Sequence, residues 1–339
     1  MSPAVSSSNG DPISLVEAAY RAEADQGAWL NQLADSAGSF DRGLGLIAFS
    51  GAILPEYGLK LDANATRNMC PELEDALRKG TESHPVLGAH SIQRATSGAT
   101  FSEAAGNEFA SAFFQPTRHL GCHDMLGVTS VDPSGLMVGL IVALPEVRTL
   151  SRRERDQWDR LAAHIAAGHR LQRGLLETRG APADSELGEA ILRPDGGVEH
   201  ATESAKTPAA RSSLRNAALA MDRARSSLRR KDPDEALSLW RGLVSGRWSL
   251  VDKFDSDGRR YLVAHRNDPR ARELAALSAR EQQVTAYLAL GHSNKRIAYE
   301  LGISESTVSE VGRRSLAKLG ISSRADLARL YAGDSPGKP

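Results

Sequence analysis

The sequence predicts a multidomain chain: an α/β front module, a small α+β middle module and an all-α C-terminal module of four helices. Three observations lead there. Two hairpin patterns, each a pair of apolar runs around turn residues, fall at residues 125–144 and 248–266. A stretch without periodicity, containing Gly180 and Pro182, separates residues 14–176 from residues 187–268. Beyond residue 270, Ser and Gly recur at the spacing that starts and stops short helices.

The elements follow in order. Residues 1–13, rich in Ser and lacking the charged and apolar regions of a signal peptide, read as a disordered leader. A helical pattern covers 15–33, and a strand is expected at 44–49. A polar, Ala-rich middle with an acidic helix at 71–79 comes next. Asp132-Pro133-Ser134-Gly135 is the turn between strands at 125–131 and 136–144. Ser151 with Glu154 makes a capping box for a long helix. Trp158, Leu161, Ile165, Gly168, Gln172 and Leu175 lie along one stripe of it, which suits a core-facing helix or a short dimer seam. After a linker at 177–186, the middle module reads strand, Pro-Asp-Gly-Gly turn, strand, basic helix at 212–230, helix from Pro233 through Leu243, and a final hairpin around residues 255–258. No internal repeat is evident, and residues 332–339 read as a disordered tail.

Composition narrows the function classes. The chain has 339 residues, 41% hydrophobic and 25% charged, an ordinary globular balance. Cys70 and Cys122 are too few for a disulfide framework or a closed zinc cage. No run reaches the roughly 18 apolar residues a membrane helix needs, so a cytoplasmic protein without a membrane partner is expected. The net charge of zero is uneven: residues 1–176 carry 15 basic and 20 acidic side chains, and residues 270–339 carry 11 and 7. A polyanion would meet the C-terminal end.

That end carries the strongest signal. Ser278 and Glu281 form a second capping box, Ser293 caps a short helix, Gly302 permits a tight turn, and Ser304 caps a longer helix running to Leu319. Two helices joined by a short Gly-containing turn make a helix-turn-helix, whose second helix enters the DNA major groove. The run LSAREQQVTAYLALGHSNKRIAYELGISESTVSEVGRRSLAKLGISSRADL resembles the four-helix DNA-binding domain of LuxR/FixJ-type transcription regulators, and the resemblance covers residues 271–331. It implies that Val308, Leu316 and Leu319 pack on Ile297 and Leu301. Lys295, Thr307 and Lys318 match family positions near DNA phosphates, with Arg314 counted among them. Ser309, Glu310 and Arg313 match positions facing base edges, and a dimer contact falls on Ala325, Leu327, Ala328 and Leu330. An arginine suits guanine's two acceptors and a carboxylate suits cytosine's amino group. Glu310, Val311, Gly312 and Ser315 depart from the family pattern. Glu310 sets a negative charge among phosphates, and Gly312 costs about 1 kcal/mol of helix propensity relative to Ala.

The front lacks the acidic pocket, acceptor Asp and Lys of a receiver domain. Its order of elements resembles GAF domains, which implies a small-ligand pocket; the middle block resembles a PAS module. Neither resemblance names a ligand or cofactor. Cys122, His123 and Asp124 are consecutive and alternate in direction on a strand, so they make no triad. His119 and His123 have metal spacing only on a helix, and His164 and His169 sit about 140° apart on one. No catalytic residue, metal site or cofactor is therefore assigned. The expected protein is a dimeric regulator of double-stranded DNA, controlled by a small molecule or protein partner at the front and engaging RNA polymerase if it activates. Two alternatives remain at this level: a regulator with weakened DNA binding that acts by holding another protein, and a ligand-processing enzyme with a secondary DNA-binding domain.

Overall fold

The structure, a computed structural model, describes residues 11–54, 58–83, 98–132, 136–177, 188–202, 204–240, 242–244, 247–254, 258–267 and 277–332. The expected 177–186 linker from residue 178 on, the C-terminal tail from residue 333 on, and most of both hairpin turns lie outside these residues.

The front module is an antiparallel sheet of β1 (Leu46–Leu54), β2 (Gly58–Arg67), β3 (Ala99–Thr100), β4 (Asp124–Val131) and β5 (Leu136–Leu144), in the order β2-β1-β5-β4-β3. Strand side chains alternate faces. Leu46, Ala48, Leu126, Val128, Val138, Leu140 and Val142 meet helices α1 (Pro12–Ala19), α2 (Gln26–Ala37) and α6 (Arg152–Glu177). Met125, Ile141 and Ala143 face the other way, in a cluster with residues of α3 (Pro71–Ser83) and α5 (Asn107–Phe113); α4 (Phe101–Ala105) lies beside them. Both faces are covered, which explains why β5 is apolar almost throughout.

Three expectations need correction in this module. Asp11 caps α1, its Oδ1 accepting from the amide of Ile13 at 3.1 Å, and Ile13 is fully buried, so ordered structure begins inside the expected leader. The single helical pattern at 15–33 is two helices, because Asp25 starts a new one by accepting from the amide of Ala28 at 2.8 Å. The polar stretch after β1 contains β2, an edge strand whose partners lie on one side only.

The capping box of α6 forms as expected, with Glu154 Oε2 accepting from the Ser151 amide at 2.8 Å. The stripe Trp158, Leu161, Ile165, Gly168 and Gln172 is buried within the protomer. At Gly168 α1 and α6 touch backbone to side-chain position: a Cβ there would lie 2.1 Å from the carbonyl oxygen of Ala19. Gly168→Ala is expected to destabilise the fold by about 1–3 kcal/mol through overpacking, outweighing a helix-propensity gain of about 1 kcal/mol. Urea unfolding checks this; a variant more stable than the parent would refute the close approach.

The middle module repeats the front's strand order without repeating its sequence. Strands β6 (Ala190–Leu192), β7 (Val198–Ala201), β8 (Leu243–Val244), β9 (Trp248–Phe254) and β10 (Arg260–Arg266) run β7-β6-β10-β9-β8. Helices α7 (Pro208–Arg225), α8 (Leu228–Lys231) and α9 (Pro233–Leu239) fill the interval between the second and third strands, where the front has α3; α4 and α5 follow its third strand. The expected basic helix divides at Ser226, and the next helix stops at Leu239, with Leu243 and Val244 pairing as a strand on β9. Front and middle share one apolar core running from Ile13 to Ala264. Arg225 and Arg229 add ion pairs to Glu17 and Asp11 across the same boundary.

The C-terminal helices α10 (Ala279–Ala289), α11 (Asn294–Leu301), α12 (Glu305–Lys318) and α13 (Arg324–Ala332) enclose a separate core of Val284, Tyr287, Leu288, Ile297, Leu301, Val308, Val311 and Leu327. Leu316 and Leu319 pack at its edge.

Candidate nucleic-acid interface

Local chemistry fixes each helix of this domain. Ser278 and Glu281 bond reciprocally at the start of α10, Ser293 Oγ accepts from the Arg296 amide at 3.1 Å, and Ser304 Oγ accepts from the Thr307 amide at 3.0 Å. Gly302 stands between α11 and α12 at φ 63°, the left-handed conformation that ends α11 and makes the turn.

The turn orients α12 outward. Ser309, Glu310 and Arg313 share one exposed face of it, at relative positions i, i+1 and i+4. Ser309 Oγ accepts from Asn294 Nδ2 at 2.8 Å, and Arg324 donates to Asn294 Oδ1 at 2.6 Å, so the first turn of α11 borders the same surface. Gly312 is buried against α10, where a Cβ would lie 2.9 Å from Leu288 Cδ1. Ser315 is also buried and donates to the carbonyl of Val311 at 2.8 Å, so both departures face the core rather than the exposed side. Glu310 is exposed, 4.0 Å from Arg314.

The phosphate candidates have partners within the chain. Lys318 and Arg314 both reach the carboxylate of Glu281, at 2.9 and 3.0 Å. The Lys318 contact, followed by the Ser278 amide, holds the Glu281 carboxyl down at about 2. Lys295 pairs at 2.9 Å with Asp156, a residue of α6 in the front module. Thr307 is half-buried in the first turn of α12, its hydroxyl 2.8 Å from Ser304 Oγ. Among the dimer candidates Ala325 is exposed and Ala328 and Leu330 are half-buried, but Leu327 is fully buried in the domain's own core. Its side chain packs on this protomer, so the expected contact surface narrows to the other three.

Sequence reasoning missed a polar junction between this domain and the front module. Arg296 is fully buried; its Nε donates to Glu300 Oε1 at 2.8 Å, its Nη2 donates to Ser130 Oγ of β4 at 2.6 Å, and its Nη1 lies 3.7 Å from Asp159. Glu300, equally buried, accepts from Tyr287 Oη at 2.7 Å and lies 3.7 Å from Arg170 of α6. Burial alone would raise the Glu300 carboxyl; the guanidiniums of Arg296 and Arg170 reverse that and hold it below its ordinary value. His164 of α6 joins Tyr20 at 2.9 Å to Tyr299 of α11 at 2.7 Å. Leu290 packs on Phe49, Val131 and Met137 on the opposite face of the front sheet. The domain thus straddles the end of the β4–β5 hairpin. The sequence signal for this junction is slight: Arg296 and Glu300 at i, i+4 read equally well as a surface pair.

The front's chemical candidates stay apart. Cys122 is buried, and burial pushes its thiol up to about 11. Asp124 is turned to Ser102, accepting from its hydroxyl at 2.6 Å and its amide at 3.1 Å. His119 and His123 are exposed and share no helix. Among the described residues no three His, Cys, Asp or Glu side chains gather as a metal-ligand group, and no helix is long and apolar enough to cross a membrane.

Four helices, an outward second helix after a left-handed glycine turn, and cations around its exposed face define a helix-turn-helix DNA-binding domain. Residues 275–331 match the family described as bacterial regulatory proteins, luxR family, and the C-terminal module is a domain of that family. A protein of Pseudomonas aeruginosa named as a transcriptional regulator is 42% identical over 74 residues, 22% of this chain and 36% of that one. The response regulator protein TodT of Pseudomonas putida is 43% identical over 68 residues, 19% of this chain and 30% of that one. The chain thus spans about a third of the length of these relatives. The crystal structure of Escherichia coli SdiA aligns over 86% of this chain and 83% of its own at 12% identity with a TM-score of 0.27, too low to assign the front modules a fold.

Proposed function

We propose that this chain is a cytoplasmic, non-enzymatic transcription regulator whose C-terminal domain reads duplex DNA under control of its front half. The observation that carries the reading is the exposed triad Ser309, Glu310 and Arg313 on the outward helix of a luxR-family domain. Arg313 pairs with guanine in the major groove, Glu310 accepts from cytosine, and Lys295, Thr307, Arg314 and Lys318 approach phosphates. A homodimer through Ala325, Ala328 and Leu330 sets the spacing of two half-sites, and an activator of this kind would also meet RNA polymerase. The strand order common to the two sheets supports GAF-like (residues 14–176) and PAS-like (residues 187–268) modules. In these, a small molecule or protein partner acts by preferring one of two arrangements of the chain.

Selection of fragments from randomised duplex DNA with the full chain tests this. One enriched motif is expected, and Arg313→Ala should cost about 1–3 kcal/mol and relax preference at one guanine. Absence of enrichment at low salt would overturn sequence reading. It would favour the second reading, a regulator that acts by holding another protein, which rests on the engagement of Arg314 and Lys318 with Glu281 and of Lys295 with Asp156.

A further inference from the structure

The recognition helix begins beside the front module. Glu305, its first residue, lines a cleft together with Lys295, Arg296, Tyr299 and Gly302 of the helix-turn-helix. The opposite wall is Asp156, Asp159 and Arg160 of α6 with Ser238 and Leu243 of the middle module. The cleft holds about 550 Å³, the size of a small-molecule site and far less than a duplex requires. In a helix-turn-helix the first helix crosses the DNA backbone and the leading end of the second meets base edges. Here Asn294 ties the start of α11 to Ser309 on the exposed face, so Lys295 stands at the edge where a backbone would pass. That edge is occupied by two carboxylates one helical turn apart on α6.

We infer that Asp156 and Asp159 occupy the place of DNA phosphates, so that docking of the helix-turn-helix on α6 and duplex binding compete for Lys295 and the adjoining edge of α11. The inference rests on the DNA-binding reading above and adds its means of control. The Lys295–Asp156 pair is about half exposed on both sides and contributes little to holding the domain. The buried contacts of Arg296 and Glu300 do that. Asp156 instead places negative charge where the duplex brings its own, with Asp159 one turn along beside Arg296, and the duplex gains Lys295 only when Asp156 gives it up.

The test uses the full chain, a labelled random-sequence duplex at low salt and fluorescence anisotropy. Asp156→Asn/Asp159→Asn should tighten binding about tenfold, inside the usual range of coupling between sites. Because the change adds two units of positive charge, Glu72→Gln/Glu108→Gln, at exposed positions on α3 and α5, is the matched control and should tighten binding far less. Lys295→Ala should cost little in the parent and several-fold in the Asp156→Asn/Asp159→Asn background, a non-additivity that simple charge cannot produce. Equal affinity of the parent and the double Asn variant, or equal gains in variant and control, would overturn the inference while leaving DNA binding intact. If neither parent nor variant bound the duplex, with circular dichroism unchanged, the DNA-binding reading would fail and this inference with it.

Discussion

Arg296→Ala is expected to destabilise the docked protein by roughly 3–5 kcal/mol, the cost of removing one partner from a buried ion pair. The cost arises because Glu300 would keep its charge in a fully buried position, with Tyr287 donating and Arg170 at 3.7 Å but its closest cation gone. Ser130 Oγ, buried on β4, would lose its donor as well. Replacing both members, Arg296→Met with Glu300→Leu, should be much less harmful, since no unpaired charge remains. Urea unfolding followed in parallel by circular dichroism and tryptophan fluorescence distinguishes the cases. All four tryptophans lie at or before residue 248, so loss of the C-terminal domain's contacts registers as a transition seen by circular dichroism and not by fluorescence. A single variant as stable as the parent would show that the junction is not held by this pair.

Acidification should weaken the fold well above the range where carboxylates protonate. Burial holds His292 at about 3, with the nearby cations Arg296 and Arg170 acting in the same direction. Burial likewise holds His169 at about 3 and His265 at about 4. In the unfolded chain all three return to about 6.5. Between those values the unfolded chain binds protons that the folded one refuses, so stability is complete above about pH 6.5 and declines as pH falls toward 4. Each histidine contributes up to about 1.4 kcal/mol per pH unit. Unfolding free energies at pH 7.5, 6 and 5 should therefore fall progressively, and His292→Leu should flatten the slope by about one proton's worth. A parent slope of zero over that interval would refute the assignment.

The C-terminal helices were legible because their signals are local: Ser278 with Glu281, Ser293, Gly302 and Ser304 each act within four residues of themselves. The hairpins were legible for the same reason. β2 was not, since Gly58–Arg67 is an edge strand with exposed Lys60, Leu61, Asp62 and Asn64, and it lacks the apolar alternation of a half-buried strand. The division at Tyr20–Asp25 went unread because apolar spacing continues across it. Within the candidate site, the outward triad followed from helical spacing and the family resemblance. The partners of Lys295 and Arg296 lie 139 and 166 residues away, and no pattern along the chain links them. Gly312 and Ser315 looked like damage to the recognition helix, yet both turn to the core.

The middle of α6 has no side that faces water: residues 161–169 are buried without interruption, between the two sheets, α1 and α11. An α-helix turns by about 100° per residue. Adding or deleting one residue there would swing His164 away from both tyrosines, carry Gly168 off the Ala19 carbonyl and turn Arg170 from Glu300, all together. Side chains along this helix can be exchanged one at a time, but its length between Trp158 and Gln172 is fixed. Any descendant of this architecture has to gain or lose residues in its loops.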